Sequence, residues 1–139
     1  MKFIFAAALA LFVGGFSSNS RAAPNKEEYE LQERCGKRAT DFFQNTDFQD
    51  KNELSKFSNH YNAALNSCFI LFTTSDTVKG CKVNRQELWN VNENKKLGHF
   101  YHFECPDGFD VQDCYLSTTD CHSKSEWESL IKAFINNPE

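Results

Sequence analysis

The sequence predicts an α+β domain in which an antiparallel β-meander packs against an N-terminal and a C-terminal helix, with disulfides adding stability. Two amphipathic segments lie at the ends of the mature chain, and short apolar or aromatic segments separated by turn residues lie between them. All six cysteines follow an export signal, and their number is even. With no internal repeat, these observations favour one small domain.

Residues 1–22 have the three parts of a secretory signal. Lys2 supplies the positive start, an apolar stretch follows over residues 3–15, and small residues precede an expected cleavage after Ala22. The apolar stretch is about thirteen residues, fewer than the roughly 20 that a membrane-spanning helix needs. We therefore expect a single domain over residues 23–139, periplasmic or secreted, with no membrane insertion after cleavage.

Charge excludes some partners of the mature protein. The full chain has 15 basic and 19 acidic residues, and removal of Lys2 and Arg21 leaves 13 against 19, a net charge near −6. Nucleic acids and anionic membranes are bound by clustered cations, so neither is an expected partner. The densest basic group, Arg34, Lys37 and Arg38, is interleaved with acids and indicates a solvated helix face.

The first predicted element is an amphipathic helix over residues 26–44. Asn25 suits its N-cap, and Glu28 lies three residues on, as in a capping box. The apolar positions recurring at helical spacing are Leu31, Cys35, Ala39 and Phe42. The polar segment from Asn45 to Asn52 ends the helix.

The middle of the chain predicts strands. Residues 54–66 fit both a helical stripe and strand alternation, and we interpret them as a strand entering a hairpin. Residues 68–74 are apolar, aromatic and β-branched, as in a central strand buried on both faces. A polar loop is expected over 75–84. A hairpin follows, with strands at 85–92 and 97–104.

The C-terminal part predicts a turn at residues 106–108, a loop up to Thr119, and a helix capped by Ser123 or Ser125. Its apolar side carries Trp127, Leu130, Ile131 and Phe134.

Six cysteines in an exported chain predict three disulfides. Cys35 lies on the apolar stripe of the first helix and Cys68 opens the most buried strand, so a bond between them would clamp helix to sheet. Antiparallel pairing of the last hairpin brings Cys81 and Cys105 towards each other. Cys114–Cys121 is then the remaining pair, although six cysteines allow 15 pairings in principle.

No catalytic constellation, metal site or cofactor motif emerges from the sequence. His99 and His102 are three apart on a strand and so face opposite sides of the sheet, which argues against a shared ion. His60 and His122 lack the spacing of metal ligands, although either one suits a general acid or base.

Aromatic residues on the last hairpin indicate a protein-binding surface. Tyrosine and tryptophan bury much area at low entropic cost, although aromatics at strand spacing also commonly fill a core. The candidate binding residues are Trp89, His99, Phe100, Tyr101, His60 and Tyr61.

Four short segments resemble a group of small exported bacterial proteins with no assigned activity. The segments are Cys35-Gly36-Lys37-Arg38-Ala39 with Phe42-Phe43, His60-Tyr61-Asn62, Leu65-Asn66-Ser67-Cys68-Phe69, and Asn92-Glu93-Asn94-Lys95. The resemblance covers about residues 30–100. It implies a Gram-negative type of host and a Cys35–Cys68 pair, and it transfers no catalytic residue.

The function expected from these features is protein binding, of inhibitor or immunity type. Two alternatives belong to other classes: a small secreted hydrolase that uses His60 or His122, and a structural component of an envelope assembly. A histidine clustered with a lysine or a carboxylate in a concave pocket would favour the hydrolase, and an exposed aromatic patch would favour the binder.

Overall fold

The protein was analysed as a computed structural model, which describes residues 26–46 and 54–135. The expected signal, the Asn25 cap and the segment 47–53 lie outside the described residues. The elements are α1 (Lys26–Asn45), β1 (Leu54–Asn62), β2 (Ser67–Val78), β3 (Cys81–Asn90), β4 (Lys95–Glu104), β5 (Asp110–Leu116), β6 (Thr119–Asp120) and α2 (Lys124–Ile135).

All six strands form one antiparallel sheet in which each strand pairs with the next along the chain. The predicted meander with a helix at each end is therefore confirmed. The helix expected over 26–44 and the strand expected from residue 54 are both present, and the strand ends at Asn62 rather than 66. The last predicted hairpin turns at residues 91–94, two residues earlier than expected.

Two segments expected to be loops are strands. The segment 75–84 contains the end of β2, a two-residue turn and the start of β3. Lys79 and Gly80 both have positive φ, of 52° and 84°, which matches the turn that best fits the twist of a hairpin. The polar residues of this segment lie on exposed strand ends, so their polarity did not indicate a loop.

The segment after the turn at 106–108 also forms a strand, β5, where a loop was expected. Cys114 and Leu116 are buried on one side of β5, and Asp113 and Tyr115 point to the other. Only the last residues of the segment alternate in burial, and the first half is polar and exposed, so the sequence contained little signal for a strand.

The two helices pack on opposite faces of the sheet. Cys35 and Ala39 of α1 contact Cys68, Ile70 and Phe72 of β2, whereas α2 contacts the alternate residues. The cluster on the α2 side contains Phe69, Leu88, Phe100, Cys114, Leu116, Cys121, Trp127 and Ile131. Successive residues of β2 are thus buried on alternating sides, which confirms a central strand covered on both faces.

Helix α2 begins at a side-chain cap. The Glu126 backbone N–H donates to Ser123 Oγ over 3.2 Å, and the Glu126 carboxylate accepts from the His122 backbone N–H at 2.7 Å. Of the two serines expected as caps, Ser123 is the one used. Trp127 is fully buried one turn later, and its indole N–H donates to Gln86 Oε1 at 2.7 Å.

Three disulfides join the elements: Cys35–Cys68, Cys81–Cys105 and Cys114–Cys121, the pairs expected from the sequence. The first links α1 to β2, and the second links the start of β3 to the residue after β4. The third links β5 to the segment before α2. Each disulfide therefore holds neighbouring elements at a different place around the sheet.

Candidate binding face

The α1 side of the sheet has two parts. Helix α1 packs on β1 and β2, and it reaches β3 through a ring contact of Phe42 with Trp89, whose centroids are 5.6 Å apart. The α1 side of β3, β4 and β5 beyond that contact carries charged and aromatic side chains. We call this the polar-aromatic face; its members are Arg85, Glu87, Trp89, Lys96, His99, Tyr101, Asp113 and Tyr115.

A β-bulge brings Lys96 onto this face. Leu88 pairs with Gly98 and Trp89 with Lys96, so Leu97 is the extra residue in β4. Without the bulge, strict alternation would place Lys96 on the opposite side from Tyr101. Leu97 instead packs against the apolar cluster on the α2 side.

Glu87 is the centre of a hydrogen-bonded network. Its carboxylate accepts from Lys96 Nζ at 3.1 Å and from the Trp89 indole N–H at 3.0 Å. It also accepts from the Tyr101 hydroxyl, which in turn accepts from Lys96 Nζ at 3.3 Å. Glu87 is 7% exposed, so three donors satisfy a carboxylate that would otherwise be costly to bury.

The network keeps Tyr101 neutral and Lys96 charged. Burial, followed by the hydrogen bond and charge of Glu87, raises the pKa of Tyr101 above its ordinary 10.0. Burial alone would lower the pKa of Lys96, but the contacts with Glu87 and Tyr101 outweigh it and raise this pKa above 10.5. Both protons are therefore held more tightly in the folded protein.

His99 lies between two tyrosine rings. Its imidazole stacks on Tyr101 with centroids 4.0 Å apart and meets Tyr115 edge-on at 4.4 Å. Nε2 lies 2.9 Å from Asp113 Oδ2, and Asp113 is 65% exposed. Nδ1 is buried without a hydrogen-bond partner. Two aromatic contacts and the contact of Nε2 with Asp113 thus hold the ring in one orientation.

The structure brings together three of the six candidate binding residues. Trp89, His99 and Tyr101 lie on the polar-aromatic face. Phe100 lies on the α2 side and is 3% exposed within the apolar cluster. The other two are on β1: His60 faces the α2 side, and Tyr61 is buried beside α1.

Sequence reasoning missed five members of the face: Arg85, Glu87, Lys96, Asp113 and Tyr115. The spacing of Glu87 and Trp89 placed both on the same side of β3, and this was visible in the sequence. A strand assignment for residues 111–116 would have placed Asp113 and Tyr115 together on one side of β5. The side on which Lys96 lies depends on the bulge, for which the sequence contains no separate signal.

The four histidines lie on different parts of the molecule. His102 faces the α2 side and lies 2.8 Å from Asp110, so His99 and His102 are on opposite faces, as predicted. His122 is exposed before α2. The ring nitrogens of His99 contact no hydroxyl or thiol. Within residues 26–46 and 54–135, no three histidine, cysteine or acidic side chains come together as metal ligands.

Comparison with protein-family models, curated proteins and solved structures finds no significant match. Among the described residues, neither helix has the length and apolar character needed to cross a membrane. The fold and its cross-links define the class as a disulfide-stabilised α+β protein with a six-stranded sheet.

Proposed function

We propose that this protein is an exported binding module, periplasmic or secreted, that contacts another protein through the polar-aromatic face, in the manner of an inhibitor or an immunity protein. The observation that carries the proposal is the fixed network around Glu87 and His99 on a sheet surface beyond α1. Rings held in one orientation lose little conformational entropy when a partner covers them.

The composition of the face suits recognition of a protein. Tyr101 and Tyr115 are partly exposed, and each offers a large apolar ring with a polar end. The Tyr115 hydroxyl has no hydrogen-bond partner among the described residues, so it is free to bond a partner. Aromatic residues of this kind dominate the energetic centres of protein interfaces.

Charge indicates the chemistry of the partner. Asp113 lies at the edge of the face with most of its side chain in solvent, and the mature chain expected from the sequence is acidic. A partner with basic side chains opposite Asp113 would gain electrostatic steering and orientation. We therefore propose that the partner places a basic side chain opposite Asp113.

The three disulfides, which the number of cysteines had predicted, support export. Three disulfides are characteristic of proteins that fold in an oxidising compartment. The resemblance to small exported bacterial proteins favours a Gram-negative type of host, in which that compartment is the periplasm or the exterior.

The test uses two aspartates that form a matched pair on opposite faces of β5. Asp113 is 65% exposed and lies 2.9 Å from His99, whereas Asp110 is 60% exposed and lies 2.8 Å from His102. The immobilised mature protein captures partners from envelope extract, and dissociation constants are then measured with the purified partner. Asp113→Lys should weaken binding by roughly tenfold or more, and Asp110→Lys by less than about twofold.

Equal weakening by both substitutions would show that the polar-aromatic face is not the contact surface. Capture of no partner, together with turnover of a generic ester or nucleic-acid substrate that is lost on substitution of His60 or His122, would favour the hydrolase. Recovery of an insoluble envelope complex that is insensitive to both aspartates would favour the structural role.

A further inference from the structure

A pocket lies on the α1 side, at the end of the sheet that carries the β1–β2 and β3–β4 turns. The pocket, of about 110 Å³, opens between α1, the β1–β2 turn and the β3–β4 turn. Arg34 and Arg38 line it from the helix, Asn66 and Asn92 from the two turns, and Tyr61 from β1. None of these residues belongs to the polar-aromatic face.

The two arginines are one helical turn apart on α1. Neither forms an ion pair or a hydrogen bond within the described residues. Two nearby acids on α1 pair with lysines: Glu30 with Lys26, and Glu33 with Lys37. Two guanidinium groups therefore border the same pocket without an ion pair to any described residue.

Both asparagines line the pocket with their side chains. Asn92 Oδ1 accepts from the Cys68 backbone N–H at 3.3 Å, which a side-chain nitrogen cannot do, and this contact fixes which end of the amide is the oxygen. Asn66 Oδ1 accepts from the Tyr61 hydroxyl at 2.7 Å. Neither amide nitrogen donates a hydrogen bond to another described residue, so both remain as donors.

The positions of the asparagines are fixed by the backbone. Asn66 has a φ of 46°, a left-handed conformation that asparagine adopts more readily than most residues. Asn92 lies in the turn that follows β3, where its own backbone N–H donates to Asn90 Oδ1 at 2.9 Å. The Cys35–Cys68 disulfide joins the two walls of the pocket.

We propose that this pocket binds a tetrahedral oxyanion, a phosphate or sulfate group, through Arg34, Arg38, Asn66 and Asn92. The polar groups that remain unused are all donors, which suits a ligand rich in acceptor oxygens. Two guanidinium charges match the charge of a phosphate group, which is about −1.5 to −2 at neutral pH. Arginine is also the side chain whose fork of donors fits such oxyanions best.

The pocket size agrees with this ligand class. A volume of about 110 Å³ accommodates one phosphate or sulfate group with ordered water, and it is well below the roughly 300 Å³ or more of pockets for drug-sized molecules. The sequence indicated a solvated basic face at these positions. The structure adds the two asparagines, which come from turns distant in the chain.

The experiment titrates the mature protein with inorganic phosphate and with sulfate at constant ionic strength, and follows backbone amide shifts by NMR. A saturable shift of residues around the pocket is expected. Arg34→Gln and Arg38→Gln should each weaken phosphate binding by about tenfold or more, because each removes a charged donor. Lys37→Gln removes the same charge from the neighbouring position, which pairs with Glu33, and should leave binding within about twofold.

Asn92→Asp provides an isosteric variant. Its carboxylate can still accept from the Cys68 N–H, but it replaces a donor with a negative charge in the pocket, so phosphate binding should be lost. The backbone amide spectrum should remain that of the folded protein. Phenyl phosphate in place of inorganic phosphate distinguishes the source: binding at least as tight indicates the phosphate end of a larger molecule, and exclusion indicates the free ion.

The proposal is overturned if phosphate and sulfate give no saturable shift up to millimolar concentration, if Lys37→Gln weakens binding as much as the arginine variants, or if acetate binds more tightly than phosphate. This outcome is independent of whether the polar-aromatic face binds a protein, because no residue is shared between the two sites.

Discussion

The two sides of the sheet are built on different principles. On the α2 side, a continuous apolar cluster extends from β2 to β5 and is closed by Trp127 and Ile131. On the α1 side, the apolar clusters join α1 to β1, β2, Trp89 and Val91, and a hydrogen-bonded network lies beside them on β3 and β4. One side mainly provides stability, and the other combines stability with a surface able to recognise a partner.

Burial of Glu87 shows what a hydrogen-bonded network on the α1 side requires. A carboxylate at 7% exposure is tolerated because three donors satisfy it, whereas an apolar residue there would require none. Such a network fixes the orientation of His99 and Tyr101, which an apolar core residue would not do. The comparison predicts that substitutions on the α2 side destabilise the fold most.

The largest expected effect is that of Trp127→Ala. Trp127 is fully buried, and its truncation should lower the free energy of unfolding by about 3–5 kcal/mol. The matched variant Trp89→Ala removes the same side chain from the α1 side, where it is partly exposed, and should cost less. Chemical denaturation measures both. A larger loss for Trp89→Ala would break the comparison.

Gly98→Ala should have the next largest effect. A Cβ at Gly98 would lie 2.2 Å from the Tyr115 carbonyl oxygen and 2.7 Å from Leu116 Cα, so β4 and β5 would have to separate. We expect a loss of about 1–3 kcal/mol in the free energy of unfolding.

Gly36→Ala on α1 is the control for that substitution. Its Cβ would meet Asn59 Nδ2 at 3.7 Å, an ordinary contact, so the variant should be more stable by about 0.5–1 kcal/mol because alanine favours a helix. Opposite signs in the same denaturation experiment are expected, and two losses of equal size would contradict the close approach at β4 and β5.

Tyr101→Phe tests the network on the polar-aromatic face. The substitution removes the hydroxyl that donates to Glu87 and accepts from Lys96, and should lower the free energy of unfolding by about 1 kcal/mol. Tyr115→Phe removes a hydroxyl with no partner in the described residues and should change stability by less than about 0.5 kcal/mol. Equal effects would indicate that the network contributes nothing.

The smallest expected effect is a dependence on alkaline pH. The pKa values of Tyr101 and Lys96 are both raised by folding, so the folded state binds more protons than the unfolded state above about pH 10. The contribution of this pair is therefore complete below that pH and is lost as pH rises through the folded-state values.

The measurement is the free energy of unfolding from about pH 8 to about pH 11. The variant with Tyr101→Phe and Lys96→Met should fall less steeply over this interval than the unmodified protein, because two of the groups whose protons are linked to folding are absent. A steeper fall in the variant would contradict the direction of both shifts.

Much of the fold was predictable because its signals are local. The helical stripe through Cys35 and Ala39, the apolar segment from Cys68 and the cap at Ser123 all depend on neighbours in the chain. The predictions of a loop at 75–84 and of a loop up to residue 119 were wrong, because exposed strand ends contain the same polar residue types as loops.

The candidate sites were predictable only in part. Alternation placed His99 and His102 on opposite faces of the sheet, as observed. The network needed the bulge that brings Lys96 to Glu87, and the pocket needed Asn66 and Asn92 from two turns. Such contacts depend on strand register, which a linear pattern does not specify.

The sequence by itself determined the periods of the helices and main strands, the number of cysteines and the acidic balance, because these follow from residue type and spacing. Tertiary structure decided that α1 and α2 lie on opposite faces, that the α1 side continues as a polar-aromatic face, and that Arg34 and Arg38 border a pocket together with two asparagines from distant turns. The reason is physical: pairing across strands brings together residues far apart in the chain, and a shift of one residue in register changes which side chains meet.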